Sequence, residues 1–224
     1  MDGNAVYIDE NDALAAAQVN AEEQAQMEAR ISGEPMIQPR AQDTYEDSYM
    51  RVFYLVSYLG NSAYNFSTDA RWLTMPFFRG YDSIGACAMN GTVTPGTESG
   101  WVSYDITEFI GGNSTTDSDR YDISNRKRAV KGNWYGSAGI FNLPTDRHIG
   151  DTSTIYKNFK AHYEYEGHAN STYFNTIGSY DHSKLRLNLA PSASIDLNGD
   201  FSASIGLEIK SATDTRGVEL EIRN

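Results

Sequence analysis

His162, Glu164 and Glu166, in the run His-Tyr-Glu-Tyr-Glu-Gly-His, put one imidazole and two carboxylates at alternate positions. On an extended strand they project from one face about 7 Å apart, a spacing that zinc or calcium ligands can use. They also alternate with Ala161, Tyr163 and Tyr165, which is the pattern of the wet face of a half-buried strand that holds no metal. All four histidines fall between His148 and His182. Asp196 and Asp200 in Asp-Leu-Asn-Gly-Asp are a second carboxylate pair of the kind calcium accepts, without the spacing of a helix-loop-helix calcium loop. No cofactor is expected from these patterns, with calcium and zinc as the two metals they could serve.

A second candidate is basic. SNRKRAVKGNWYG, residues 124–136, sets Arg126, Lys127, Arg128 and Lys131 beside Trp134 and Tyr135 in a chain of formal net charge -12. Arginine pairs with carboxylate or phosphate as a planar fork, and aromatic rings stack on sugars. Arg126, Arg128, Lys131, Trp134 and Tyr135 are therefore a candidate site for an anionic wall polymer or glycan. Neither alternating side of 126–131 is apolar enough for a core. The stretch equally reads as a loop or an edge strand whose cations deter pairing with other chains, balanced by Asp117, Asp119 and Asp122, with Trp134 as core filler. Nucleic acid is not an expected partner at a pI of 4.7, because phosphate neutralisation rewards a net basic face.

Nucleophilic chemistry has less to work with. No Gly-x-Ser-x-Gly elbow, His-Glu-x-x-His, phosphate-binding loop or dinucleotide fingerprint occurs. Cys87 is the single cysteine. Among small apolar neighbours it reads as a buried hydrophobe, and no internal disulfide can form.

The elements that must carry these residues are strands. Residues 1–48 hold eleven Asp and Glu against two Arg, and the rest of the chain is almost neutral. Within 1–48, NDALAAAQVNAEEQAQMEARISGEP is expected to form a short acidic helix, partly disordered because its apolar face is thin. From residue 49 the period changes to two. YMRVFYLVSYLG is apolar on both faces and is expected to be covered on both. WVSYDITEFIGG, NFKAHYEYEG, KLRLNLAP and GVELEIRN alternate as half-buried strands. In PSASIDLNGDFSASIGLEI a three-residue loop of Leu197, Asn198 and Gly199 would pair Asp196 with Asp200, Ile195 with Phe201 and Ala193 with Ala203. Strands bounded by Gly, Asn, Pro and Ser imply a mainly β chain, with an antiparallel β-sandwich or jelly-roll-like domain over 49–224. No apolar run is long enough for a transmembrane helix.

Two resemblances bear on function. NFKAHYEYE is similar, through Phe159, Lys160, Ala161 and Tyr163, to the tyrosine-containing strand of the jelly-roll alginate lyases. It implies a polysaccharide lyase, but the Gln-Ile-His and Glu-Leu-Arg strands of that family do not appear. YNFSTDARWLTMPFFRGYD, GNWYGSAGIFNLP and the serine-alternating hairpin resemble a group of uncharacterised small secreted β-domain proteins of Gram-positive bacteria, which implies export and a non-enzymatic surface role. The polar, acidic start is expected of a mature exported chain whose signal peptide has been removed. The expected function is a secreted, non-enzymatic binding module for a macromolecule. Its partner would be a host protein, such as a mucosal glycoprotein or an immunoglobulin, or a cell-surface glycan. A carbohydrate-active jelly-roll enzyme is the alternative.

Overall fold

The computed structural model describes residues 38–77, 79–169, 171, 173–183, 193–198, 202–207 and 213–223. Pro39–Asn224 makes one compact unit. The helix expected within 1–48, the strand expected at KLRLNLAP and the loop residue Gly199 lie outside the described residues. A first strand over Gln38–Glu46 already belongs to the main sheet, so the β unit begins ahead of residue 49.

Among the described residues there are fifteen strands and no helix, numbered here in chain order. One sheet has the order β1 (Gln38–Glu46), β2 (Met50–Gly60), β3 (Ala63–Trp72), β11 (Thr152–Ala169), β6 (Ser99–Ile110), β7 (Asn113–Asp122), and β11 also pairs β5 (Gly91–Val93) and β10 (Arg147–Ile149). A five-stranded sheet runs β15 (Thr213–Arg223), β12 (Tyr173–Ser183), β4 (Tyr81–Met89), β9 (Trp134–Asn142), β8 (Asn125–Lys131). β13 (Ala193–Asn198) and β14 (Ser202–Leu207) pair only with each other. The pairings are antiparallel, as period-two sequences joined by short turns require.

The two larger sheets pack face to face. Val52, Tyr54 and Val56 of β2, Tyr64 and Phe66 of β3, and Phe159, Tyr163 and Tyr165 of β11 form one core with Ile84, Ala86, Phe174 and Tyr180 of the smaller sheet. Tyrosine can fill this space because each hydroxyl finds a partner. Tyr54 bonds Thr176, Tyr165 donates to the Ala86 carbonyl at 3.2 Å, and Tyr180 donates to Asp82 at 2.5 Å. Gly178 makes room for one of these rings: a Cβ there would lie 2.4 Å from the Tyr54 ring. β2 is covered on one face only. Arg51 is exposed and Phe53 and Leu55 are half-buried, because the five-stranded sheet packs on the other face, that of Val52, Tyr54 and Val56.

The hairpin register also differs from expectation. Asn198 pairs with Ser202, Leu197 with Ala203, Ile195 with Ile205 and Ala193 with Leu207. The shift moves each strand by an even number of residues, so apolar residues still meet apolar ones.

Candidate functional site

The basic stretch is the edge strand β8 of the five-stranded sheet. Arg126 donates to the Ile123 carbonyl at 2.8 Å and to the Glu98 carbonyl at 2.6 Å, and Arg128 forms a short ion pair with the Glu98 side chain. Burial would raise the Glu98 carboxyl, but Arg128 holds it below its ordinary value. Both arginines therefore tie β8 to Glu98, in the segment that leads into β6. Trp134 is 3% exposed and packs with Cys87, Ala138 and Ile177, so its faces are closed to a sugar. Tyr135 is half-buried and Lys131 exposed. The structure brings the five residues onto neighbouring strands without converging them on one open surface.

The expected alternation in β11 holds: His162, Glu164 and Glu166 share the outer face of the large sheet. The partners of His162 and Glu164 are protein groups. His162 Nδ1 is 2.9 Å from Asp69, its Nε2 is 3.8 Å from Glu164, and its ring stacks on Trp101 at 5.6 Å. Burial would lower the imidazole pKa, but Asp69 and Glu164 raise it to about 9. Among the described residues no three His, Cys, Asp or Glu side chains gather as metal ligands. Tyr163, the tyrosine of the lyase-like strand, faces the core, 1% exposed, with its hydroxyl 2.7 Å from Ser137 and its pKa pushed by burial to about 12. Cys87 is fully buried, and burial holds its thiol far above its ordinary value.

Two features were hidden from sequence reasoning because pairing creates them. On the outer face of the large sheet, register aligns Arg51, Arg71, Lys160, Ser103 and Arg120 across five strands. The adjacent row is Phe53, Asp69, His162, Trp101 and Asp122. Arg120 lies over the Trp101 ring, 4.5 Å from its centroid.

The second feature is the place where the β13–β14 hairpin docks. The hairpin lies against β12, β4 and β9, and β13 against β8, so it covers the face of the five-stranded sheet turned away from the core. That face is small and polar as well as apolar: Ser83, Cys87, Ala138, Asn175, Ile177 and Ser179 are all buried there. Among the described residues Ser83 Oγ and Asn175 Oδ1 have no hydrogen-bond partner. The ends of the segment meet, because Ser183 of β12 pairs directly with Thr213 of β15. Ser183 and Thr213 thus bracket residues 184–212, and among the described residues of that segment none pairs with a strand of either larger sheet.

No family model and no curated protein matches the chain. Among solved structures, one described as a pore forming protein aligns at 10% identity and a TM-score of 0.36, over 82% of this chain and 90% of that one. Clostridium perfringens delta-toxin aligns at 10% identity and a TM-score of 0.30, over 82% and 88%. Likeness at these scores carries no argument about fold or activity.

Proposed function

We propose that this chain is a secreted, non-enzymatic protein that binds a cell surface and perforates the membrane there, by releasing the segment 184–212 so that hairpins from several copies close into a β-barrel. The hairpin carries this reading. In 185–197 and 201–209 every odd position is apolar, and every even position is polar except Ala190 and Gly206. Strands of about 9–11 residues with this dyad alternation are what a barrel needs to cross lipid, apolar outward and polar toward the lumen. Lipid excludes unpaired sheet edges, so one hairpin cannot insert alone and several must close a ring. No helix among the described residues is long and apolar enough to cross a membrane, and a barrel needs none.

Release is mechanically free in the way insertion requires. The hairpin is a sheet of its own, the strands that flank segment 184–212 are joined by the Ser183–Thr213 pair, and the face beneath the hairpin includes two polar atoms unpaired among the described residues. An unpaired buried polar atom costs about 1–3 kcal/mol, which favours uncovering it. The binding role expected from the sequence becomes the first step, bringing copies together on a surface.

Dye release from phosphatidylcholine vesicles tests the proposal. The full chain should release dye, Ile205→Asp should abolish release, and Ser204→Asp, on the lumen side, should keep it. Replacing 184–212 with an Asn-Gly turn between Ser183 and Thr213 should leave a folded sandwich, read by circular dichroism, that releases nothing. Absence of release by the full chain, release by the turn variant, or equal loss in the two aspartate variants would overturn the proposal.

A further inference from the structure

We infer that the cation row on the outer face of the large sheet is a binding site for a linear acidic polysaccharide, laid across the strands along Arg51, Arg71, Lys160 and Arg120. This inference stands on a different face from the hairpin and does not depend on it.

The row is a product of register. Arg51 pairs with Arg71, Arg71 with Lys160, Lys160 with Ser103 and Ser103 with Arg120. Neighbouring strands lie about 4.8 Å apart, so the four steps span about 19 Å. That repeat is close to the length of one sugar ring in a polymer, so successive acidic sugars can meet successive strands. Like charges aligned on adjacent strands repel, and nothing in the fold requires them. Arg51 is paired with Glu46 at 2.5 Å. Among the described residues Arg71 and Lys160 have no ionic partner, and Arg120 has only the Trp101 ring.

The adjacent row supplies the apolar half of a sugar site. Phe53 and Trp101 wall a hollow of about 120 Å³ with Asp69, and the stems of Arg51, Arg71 and Lys160 complete it. Trp101 is half-buried, with His162 stacked on its ring and Arg120 over it, while Trp72 and Trp134 are 5% and 3% exposed, so the uncovered edge of Trp101 is the tryptophan surface a ligand can reach. Asp69 is hydrogen-bonded to His162, whose pKa is raised, which offsets its repulsion of an acidic ligand.

A narrow chain suits this face better than an anionic bilayer. Glu164 and Glu166 lie further along β11 on the same face, and Asp105 lies along β6 on the other side of the row. A flat anionic surface would press on all of them at once. A single polymer strand touches the cations and the aromatic wall and leaves Glu164, Glu166 and Asp105 in water.

The test uses polygalacturonate, which carries one carboxylate per sugar. The full chain should bind it with salt-dependent affinity and a change in tryptophan fluorescence that Trp101→Phe removes. Arg71→Ser with Lys160→Ser should weaken binding about tenfold, the product of two exposed charge contacts. The charge-matched pair Lys127→Ser with Lys131→Ser, on the β8 edge, should bind as before. No binding, equal loss in both double variants, or flotation with phosphatidylserine vesicles in place of polymer binding would overturn the inference. Dye release from neutral vesicles contains no polymer and reports on the hairpin alone, so the two readings fail separately.

Discussion

Against its inner face, the five-stranded sheet meets Tyr54, Phe66, Phe159 and Tyr165 of the large sheet, all at most 1% exposed. Against its outer face it meets the hairpin, over Ser83, Cys87, Ala138 and Asn175. Both interfaces are buried. They differ in their polar groups: on the inner side the ring hydroxyls are bonded, and on the outer side, where Trp134 packs among Cys87, Ala138 and Ile177, Ser83 and Asn175 each hold an oxygen with no partner among the described residues. Burial alone does not distinguish a permanent interface from a removable one. If the hairpin leaves as proposed, polar satisfaction and the covalent path of the cover do.

The largest effect should come from the permanent side. Phe66 stacks on Tyr165 with ring centroids 5.1 Å apart and is 1% exposed. Phe66→Ala should lower the free energy of unfolding by about 3–5 kcal/mol, the usual cost of deleting a buried ring. Urea denaturation would read it. A loss no larger than that of an exposed substitution would mean the inner interface is as loose as the outer one.

A smaller effect, of opposite sign, is expected on the removable side. Ser83→Ala deletes a buried hydroxyl that has no partner among the described residues. It should strengthen the closed state by about 1 kcal/mol and slow dye release about fivefold. Faster release, or an unchanged rate in a more stable protein, would show that docking of the hairpin does not control its exit.

This contrast was only half legible in the sequence. Period-two alternation identified β6, β11 and β15 and the hairpin as strands, because one buried face leaves its mark on every second residue. The same alternation placed His162, Glu164 and Glu166 on one face. It could not say which sheet a strand joins. The row Arg51, Arg71, Lys160 and Arg120 draws on four strands whose sequence order is scrambled by β11 lying between β3 and β6. The basic run in β8 was conspicuous because its cations are consecutive, yet two of its arginines serve the fold through Glu98. The hairpin's alternation was visible, but its isolation from both sheets rests on the Ser183–Thr213 pair, a contact that sequence spacing does not reveal.

The smallest effect concerns the open face and isolates it from both interfaces. His162 titrates near 9 in the fold, above its ordinary 6.5, because the pull of Asp69 and Glu164 exceeds the effect of burial. A raised imidazole pKa means the protonated form is favoured by folding. The contribution is complete below about pH 6.5 and is lost as the pH rises through about 9. Asp69 and Glu164 are 45% and 38% exposed, so solvent screening leaves about 1 kcal/mol or less. Urea midpoints measured from pH 6 to pH 10 should fall more steeply for the native chain than for His162→Gln, and the two curves should converge at the alkaline end. His162 lies on the sheet face opposite the hairpin, so the same substitution should leave dye release from neutral vesicles unchanged. Parallel stability curves would remove the ion pair from the energetics of this face. A change in release would mean that the open face and the hairpin are coupled through the core, and that the outer cover is not the independent element its connectivity implies.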